Sequence, residues 1–234
     1  MLNTDFWKRY FKEYDVLNNL IPYKDLLNDI VKNLNPQSGD LVLDAGSGTG
    51  NLSSILVARG ASVTGIDYSA EGIKIHKNKY SNAKVIQHDI TTTLPFPDNH
   101  FDSLVSNNVL YTIPRAKRDF IFNEFYRVLK PGGTIVLSNI RVGFSPFEIY
   151  VRHITQYLKK ERVLKTLIHL VSLLSPTLKI LYYNYKINKA HSTGSYDFFE
   201  TDEQKAALIK VSFVNVSDTQ ITYAGQAVLN TANK

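Results

Sequence analysis

The chain has 234 residues, 44% of them hydrophobic, close to a globular average and long enough to bury a full core in one α/β unit with a decoration. Cysteine is absent, which excludes disulfides, thiolate metal sites and a cysteine nucleophile. The net charge of +6 is uneven: residues 141–189 hold nine Lys/Arg against two acids, so the basic character belongs to one segment and the rest is near neutral.

The N-terminus has no basic stretch leading into an apolar run, and the densest apolar stretch, 164–174, reads as too short and too polar to span a bilayer. A cytoplasmic location is expected. Residues 4–34 carry two helical patterns separated by Pro22, the first with Phe6, Tyr10, Tyr14 and Leu17 at three- and four-residue spacing. A turn at 35–39 follows, and then strands alternate with helices. Strands are expected at 41–43, 61–66, 83–87, 101–106 and 134–138, with helices to about 58, to about 80, and from about 114 to just before Pro131-Gly132-Gly133. That alternation predicts a parallel, doubly wound sheet. After 139 the text turns helical, apolar and basic over 145–185, with Pro176 dividing it. A helix over 201–210 and two adjacent strands, 211–222 and 225–229, close the chain as an antiparallel hairpin.

The chemistry-bearing residues sit at strand ends. Val42-Leu43-Asp44-Ala45-Gly46-Ser47-Gly48-Thr49-Gly50 ends a strand and opens a helix, where glycines permit close backbone approach and a helix start offers free N–H groups. No Gly-Lys-Ser/Thr is present, so it is not a phosphate loop. The dinucleotide fingerprint fails because its third glycine falls on Asn51. Asp67 closes the second strand, where an acid can accept from ribose hydroxyls, and Tyr68 follows it. Gln87-His88-Asp89-Ile90 closes the third strand, and Ser106-Asn107-Asn108 the fourth.

The Asp44–Gly50 loop, together with Leu94-Pro95-Phe96-Pro97-Asp98 and Phe101-Asp102, resembles class I S-adenosylmethionine-dependent methyltransferases, over about residues 40–138. The small-molecule type with a quinone-methyltransferase-like core is the nearest likeness. The resemblance implies a Rossmann-like doubly wound sheet with a reversed C-terminal strand and a helical lid inserted after strand five. It divides the chain into cofactor-covering helices (1–36), a cofactor domain (37–140 and 200–234) and an acceptor lid (141–199). It implies S-adenosyl-L-methionine as cofactor, S-adenosyl-L-homocysteine as product and no metal. Asp44, Ala45, Gly46, Gly48, Gly50 and Asp67 with Tyr68 would hold the cofactor, Asp89 and Ile90 its adenine, Asn107 its methionine end, and Tyr14 would cap it.

The expected activity is methyl transfer to N or O of a small apolar or aromatic acceptor. Alternatives are an RNA or protein methyltransferase docking through the basic segment, C-methylation of a quinone-like or lipid acceptor, and a cofactor-binding module without catalysis. A hydroxyl acceptor would need a base; His191, in a Gly/Ser-containing loop, is the first choice over His153 and His169. The helical faces of the insertion, including Phe147, Tyr150, Val151 and Leu164 to Leu174, are expected to pack on the sheet domain, with part lining the acceptor pocket. A basic amphipathic lid also allows peripheral membrane contact; nucleic acid is disfavoured, and the oligomeric state is left open.

Overall fold

The computed structural model describes residues 2, 4–161 and 163–234. Arg162 and the side chain of Val163, both part of the basic apolar insertion, lie outside the described residues.

Seven strands form one sheet: β1 Leu41–Ala45, β2 Ser62–Asp67, β3 Lys84–Gln87, β4 Phe101–Asn107, β5 Leu129–Ile140, β6 Gln220–Thr222 and β7 Ala227–Asn233. Their order is β3-β2-β1-β4-β5-β7-β6. β1 to β5 run parallel, and β7 is antiparallel to both β5 and β6. The chain reverses its winding between β1 and β4, which opens a crevice at the carboxyl ends of those strands. Among the described residues eight α-helices surround the sheet: α1 Thr4–Tyr14, α2 Ile21–Leu34, α3 Asn51–Ala58, α4 Ala70–Lys79, α5 Arg115–Val128, α6 Pro146–Lys160, α7 Val163–Ser192 and α8 Glu203–Lys210. The expected doubly wound sheet with a C-terminal antiparallel pair is present.

Three elements differ from the sequence reading. Pro131-Gly132-Gly133 lies inside β5, at a register shift against β4, instead of preceding the strand. The strand expected over 211–222 shrinks to Gln220–Thr222, because Ser212 (φ 76°) and Asn215 (φ 49°) adopt left-handed backbone that breaks the ladder. Pro176 does not divide the insertion: α7 runs unbroken for 30 residues. Proline withholds a hydrogen bond from the carbonyl four residues earlier. Here that residue is Ser172, on an exposed face where solvent can take its place.

The insertion leaves and returns at one point. Phe199 N–H donates to Ile140 O (3.0 Å), Val142 N–H donates to Phe199 O (3.0 Å), and Arg141 bridges Phe199 in parallel. Arg118, stacked 4.1 Å over Phe199 and paired with Glu203 at 2.9 Å, fixes this return against α5. The expected packing of the α7 apolar residues on the sheet domain is not observed. Leu164, Leu167, Ile168, Val171 and Leu174 are exposed, as is Phe147 of α6. The opposite face, with Leu173, Ile180 and Ile187, is buried. By length and composition Leu164–Ser192 is long and apolar enough to cross a membrane, which corrects the shorter apolar segment read from sequence.

Candidate functional site

A cavity of about 530 Å³ opens at the carboxyl ends of β1, β2 and β4, beneath α1 and beside α7. Its floor is built by the glycine loop after β1. Gly46 and Ser47 N–H both donate to Ile66 O (2.8 and 2.9 Å), folding the loop back against β2. Gly46 has φ 86°, and a Cβ there would sit 2.1 Å from Val109 Cγ2, so only glycine fits. Asp44 is 2% exposed and accepts from Ser53 Oγ at 2.6 Å. Burial pushes its carboxyl up to about 7, and the neighbouring Asp67 charge adds to the rise.

Asp67 is also buried, which raises its pKa. Each carboxylate oxygen accepts one backbone N–H, from Gly48 (2.9 Å) and Ser69 (2.8 Å). Asp67 therefore shapes the glycine loop. An ionised carboxylate has about four acceptor sites, so capacity for ligand hydroxyls is left over. At the β3 end, Asp89 Oδ1 accepts from Thr91 N–H (2.9 Å), Ile90 is buried, and Tyr68 is 61% exposed; all three line the cavity.

At the β4 end, Asn107 Oδ1 and Asn108 Oδ1 are buried without a hydrogen-bond partner among the described residues, as is Ser47 Oγ across the loop. Asn139 fixes this corner: its Oδ1 accepts from Leu110 N–H (2.9 Å), while its amide donates to Gln204 Oε1 (2.7 Å). Three orphaned polar atoms around a glycine cradle are the mark of a ligand with polar groups of its own.

The roof comes from the N-terminal segment. Thr49 Oγ1 donates to Asp15 Oδ1 (2.7 Å) and Lys79 pairs with Asp15 (2.9 Å), which pins α1 and the following turn over the loop. Trp7, Tyr10, Phe11 and Tyr14 face the cavity from α1. Tyr10 packs edge-on against Tyr183, joining the roof to α7.

Beyond the glycine loop the wall is aromatic: Tyr10, Tyr14, Tyr23, Tyr111, Tyr196 and Tyr223, with Phe144, Asn184 and Ile187. Burial raises every one of these phenol pKa values, Tyr23 and Tyr196 to about 12. Their hydroxyls are neutral at physiological pH. Tyr23 donates to Tyr14 Oη at 3.4 Å. Among the described lining residues the acids are Asp44, Asp67 and Asp89, and the histidine is His88; all four sit at strand ends.

Of the residues singled out from sequence, Tyr14, Asp44, Gly46, Gly48, Asp67, Tyr68, Asp89, Ile90 and Asn107 come together around this cavity. Ala45 and Gly50 do not reach it. Ala45 is buried in β1 and its carbonyl accepts from Ser106 Oγ (2.8 Å). Gly50 starts α3 with φ 82°, where a Cβ would lie 2.4 Å from His76. Both shape the loop from behind.

His191 is not brought to the cavity. It occupies the last turn of α7, stacked on Phe198 at 4.1 Å, with Nδ1 3.0 Å from Tyr196 O. His153 and His169 also lie elsewhere, Nε2 to Nε2 at 3.1 Å, with His153 Nδ1 accepting from Ile21 N–H at 3.1 Å. Sequence reasoning missed Phe11, Tyr23, Tyr111 and Tyr223 as site residues. Tyr223 is the one with a local signal: its φ of 54° begins a Tyr223-Ala224-Gly225 left-handed run that turns its ring inward.

Residues 43–137 match the family described as a methyltransferase domain. A curated demethylmenaquinone methyltransferase of Geobacillus sp. (strain WCH70) is 31% identical over 141 residues, 56% of this chain and 59% of that protein. The chain thus spans about three-fifths of the length of such relatives. A ubiquinone/menaquinone biosynthesis C-methyltransferase of Geotalea daltonii is 26% identical over 94% of this chain and 91% of its own length. Among solved structures, a Haemonchus contortus phosphoethanolamine N-methyltransferase 2 in complex with S-adenosyl-L-methionine superposes with a TM-score of 0.65 at 16% identity, covering 100% of this chain and 60% of that one. At that identity the likeness is one of fold.

Proposed function

We propose that the chain, whose residues 43–137 match a methyltransferase domain, transfers a methyl group from S-adenosyl-L-methionine to a small, apolar, aromatic acceptor held at the tyrosine-lined end of the cavity. The observation that carries this reading is the division of one cavity into a polar end at the glycine loop and an aromatic end between α1 and α7.

The residues present fit the cofactor. Spare acceptor capacity on Asp67 suits ribose hydroxyls. Ile90 and Tyr68 offer apolar surface to a base, and the orphaned oxygens of Asn107 and Asn108 suit an ammonium group. When bound, the cofactor supplies an electrophilic methyl on a sulfonium centre. The protein's work is then to hold the acceptor in line and exclude water, and positioning of that kind can contribute about 7–11 kcal/mol.

Neutral tyrosine hydroxyls donate and accept hydrogen bonds without acting as bases near neutral pH. No histidine or carboxylate comes from α1, α7 or the aromatic wall among the described lining residues. This wall favours an acceptor atom that attacks without prior deprotonation: an electron-rich ring carbon, as in a reduced quinone, whose ring proton leaves to solvent once the methyl is bound, or a neutral amine nitrogen, which likewise sheds a proton to solvent after transfer. The ring carbon is preferred because the Geotalea relative, matched over 91% of its length, is named a C-methyltransferase. An aliphatic hydroxyl acceptor fits this wall least.

The test is incubation with methyl-labelled S-adenosyl-L-methionine and separate pools of reduced demethylated naphthoquinone, aromatic amines, RNA and protein. Label in the quinol or amine product is expected. Label confined to RNA or protein would overturn the small-molecule reading.

A further inference from the structure

We propose that the outer face of α7 seats this protein on the surface of an anionic lipid bilayer, with the helix lying in the plane of the interface. Leu164, Leu167, Ile168, Val171, Leu174 and Leu178 recur at three- and four-residue steps along this helix. All are more than half exposed, Val171 by 73%. At about 100° per residue they occupy one arc of roughly 120°, extending some 20 Å along the axis. Tyr182 and Tyr185 prolong the stripe, both exposed, and aromatic rings with a polar tip are the side chains suited to the level of lipid headgroups. An exposed stripe this long and continuous is unusual for a surface left to water.

Charge selects the partner. α7 contains no acidic residue, and Lys165, Lys179 and Lys186 fall along one edge of the stripe, with Lys189 beyond its end; Lys165 pairs with Glu161 (3.1 Å) and Lys179 with Glu13 (2.8 Å), while Lys186 and Lys189 make no ion pair among the described residues. Lys159 and Lys160, exposed at the end of α6, add two further cations that make no ion pair among the described residues. An apolar stripe edged by lysines is complementary to acyl chains beneath anionic headgroups. A second copy of the same face would bring lysines together with no acids on α7 to meet them.

The helix lies flat and does not span. Its inner face is committed to the protein: Ile180 and Ile187 are buried and Asn184 and Ile187 line the cavity, while at the stripe's edge Lys179 pairs with Glu13 of α1 at 2.8 Å. Spanning would strip these contacts away and carry lysines into hydrocarbon. One helix therefore carries the cavity wall on one side and the bilayer contact on the other.

The experiment is co-sedimentation of the full chain with vesicles of mixed phosphatidylglycerol and phosphatidylcholine, against vesicles of phosphatidylcholine alone. Preferential binding to the anionic vesicles is expected. Val171→Glu with Leu178→Glu should lower the partition constant at least about tenfold, and Lys159→Glu with Lys160→Glu should lower it with a weaker salt dependence. These side chains are exposed, so the variants should keep wild-type circular dichroism and S-adenosyl-L-homocysteine affinity. Wild-type partitioning by the Val171→Glu, Leu178→Glu variant would overturn the proposal. So would a wild-type chain that ignores both vesicle types, or one that only forms a concentration-dependent dimer abolished by the same pair. No acceptor or methyl transfer enters the readout, so the proposal stands or falls apart from the catalytic one.

Discussion

Replacing Asp67 separates two roles that the structure joins in one carboxylate. Asp67 accepts Gly48 N–H at 2.9 Å and Ser69 N–H at 2.8 Å while nearly fully buried, and it faces the cavity. Hydrogen bonds to a charged group contribute about 1.5–3 kcal/mol each, so Asp67→Ala forfeits roughly 3–6 kcal/mol. Relief of the buried carboxylate's desolvation, visible in its raised pKa, returns part of this, leaving a net loss of about 2–4 kcal/mol. In a chain of this size each kcal/mol lowers Tm by about 2–4 °C, so the Ala variant should melt some 5–15 °C below wild type. Asp67→Asn keeps one acceptor oxygen and turns a donor toward the other N–H, and should lose about half as much. Both should lose cofactor affinity by about thirtyfold or more, because Ala offers no acceptor and the single Asn oxygen is shared with a loop N–H. Thermal melts with and without S-adenosyl-L-homocysteine, followed by calorimetric titration of the Asn variant, read the two effects separately. A wild-type melting point in Asp67→Ala would refute the structural role, and wild-type affinity in Asp67→Asn would refute the binding role.

Gly46→Ala should cost about 2–4 kcal/mol and abolish cofactor binding, since its Cβ meets Val109 at 2.1 Å on a left-handed backbone; adding Val109→Ala should restore part of the melting temperature. Asp44, held up to about 7 from 3.8, stays protonated in the fold while the unfolded chain ionises, so its contribution is full below pH 3.8 and is lost as pH rises through about 7. Denaturation at several pH values should find Asp44→Asn gaining on wild type between pH 4 and 7, by up to about 4 kcal/mol; a pH-independent gap would contradict this. His153 runs the other way. Burial, with His169 and Lys24 nearby, lowers it from 6.5 to about 4, so stability present above pH 6.5 is lost as pH falls through about 4, up to about 3 kcal/mol. Hydrogen exchange should show α6 and α7 loosening from α2 as acid protonates His153 and removes the acceptor of Ile21 N–H. Tyr111→Phe should leave cofactor affinity unchanged while altering KM or kcat for the acceptor several-fold; a change in cofactor affinity alone would place Tyr111 at the other end of the cavity.

The glycine-loop end of the cavity was legible in the sequence because it is local. Asp44, Gly46 and Gly48 lie within five residues, and their backbone demands can be read from residue type alone. Asp67 and Asn107 each close a strand and Asp89 lies two residues past the end of β3, so the α/β alternation placed them side by side before any contact was known. The aromatic end was not legible. Tyr23, Tyr111, Asn184 and Tyr223 come from four distant elements, and only the packing of α1, α2 and α7 over the sheet brings them together. His191 looked like a loop residue because Gly194 and Ser195 follow it, yet α7 continues through Ser192 and turns the ring onto Phe198. The α7 apolar residues carried the right period for a helix, but period alone does not say whether the stripe meets protein or solvent.

The cavity beneath α1 is the proposed binding site for S-adenosyl-L-methionine and its product. Calorimetric titration of the wild-type chain with S-adenosyl-L-homocysteine, run in parallel with NAD, tests it most directly. Saturable one-to-one binding of S-adenosyl-L-homocysteine that Asp67→Asn weakens is expected, with no heat from NAD. Absence of binding by S-adenosyl-L-homocysteine, or equal binding of NAD, would contradict it.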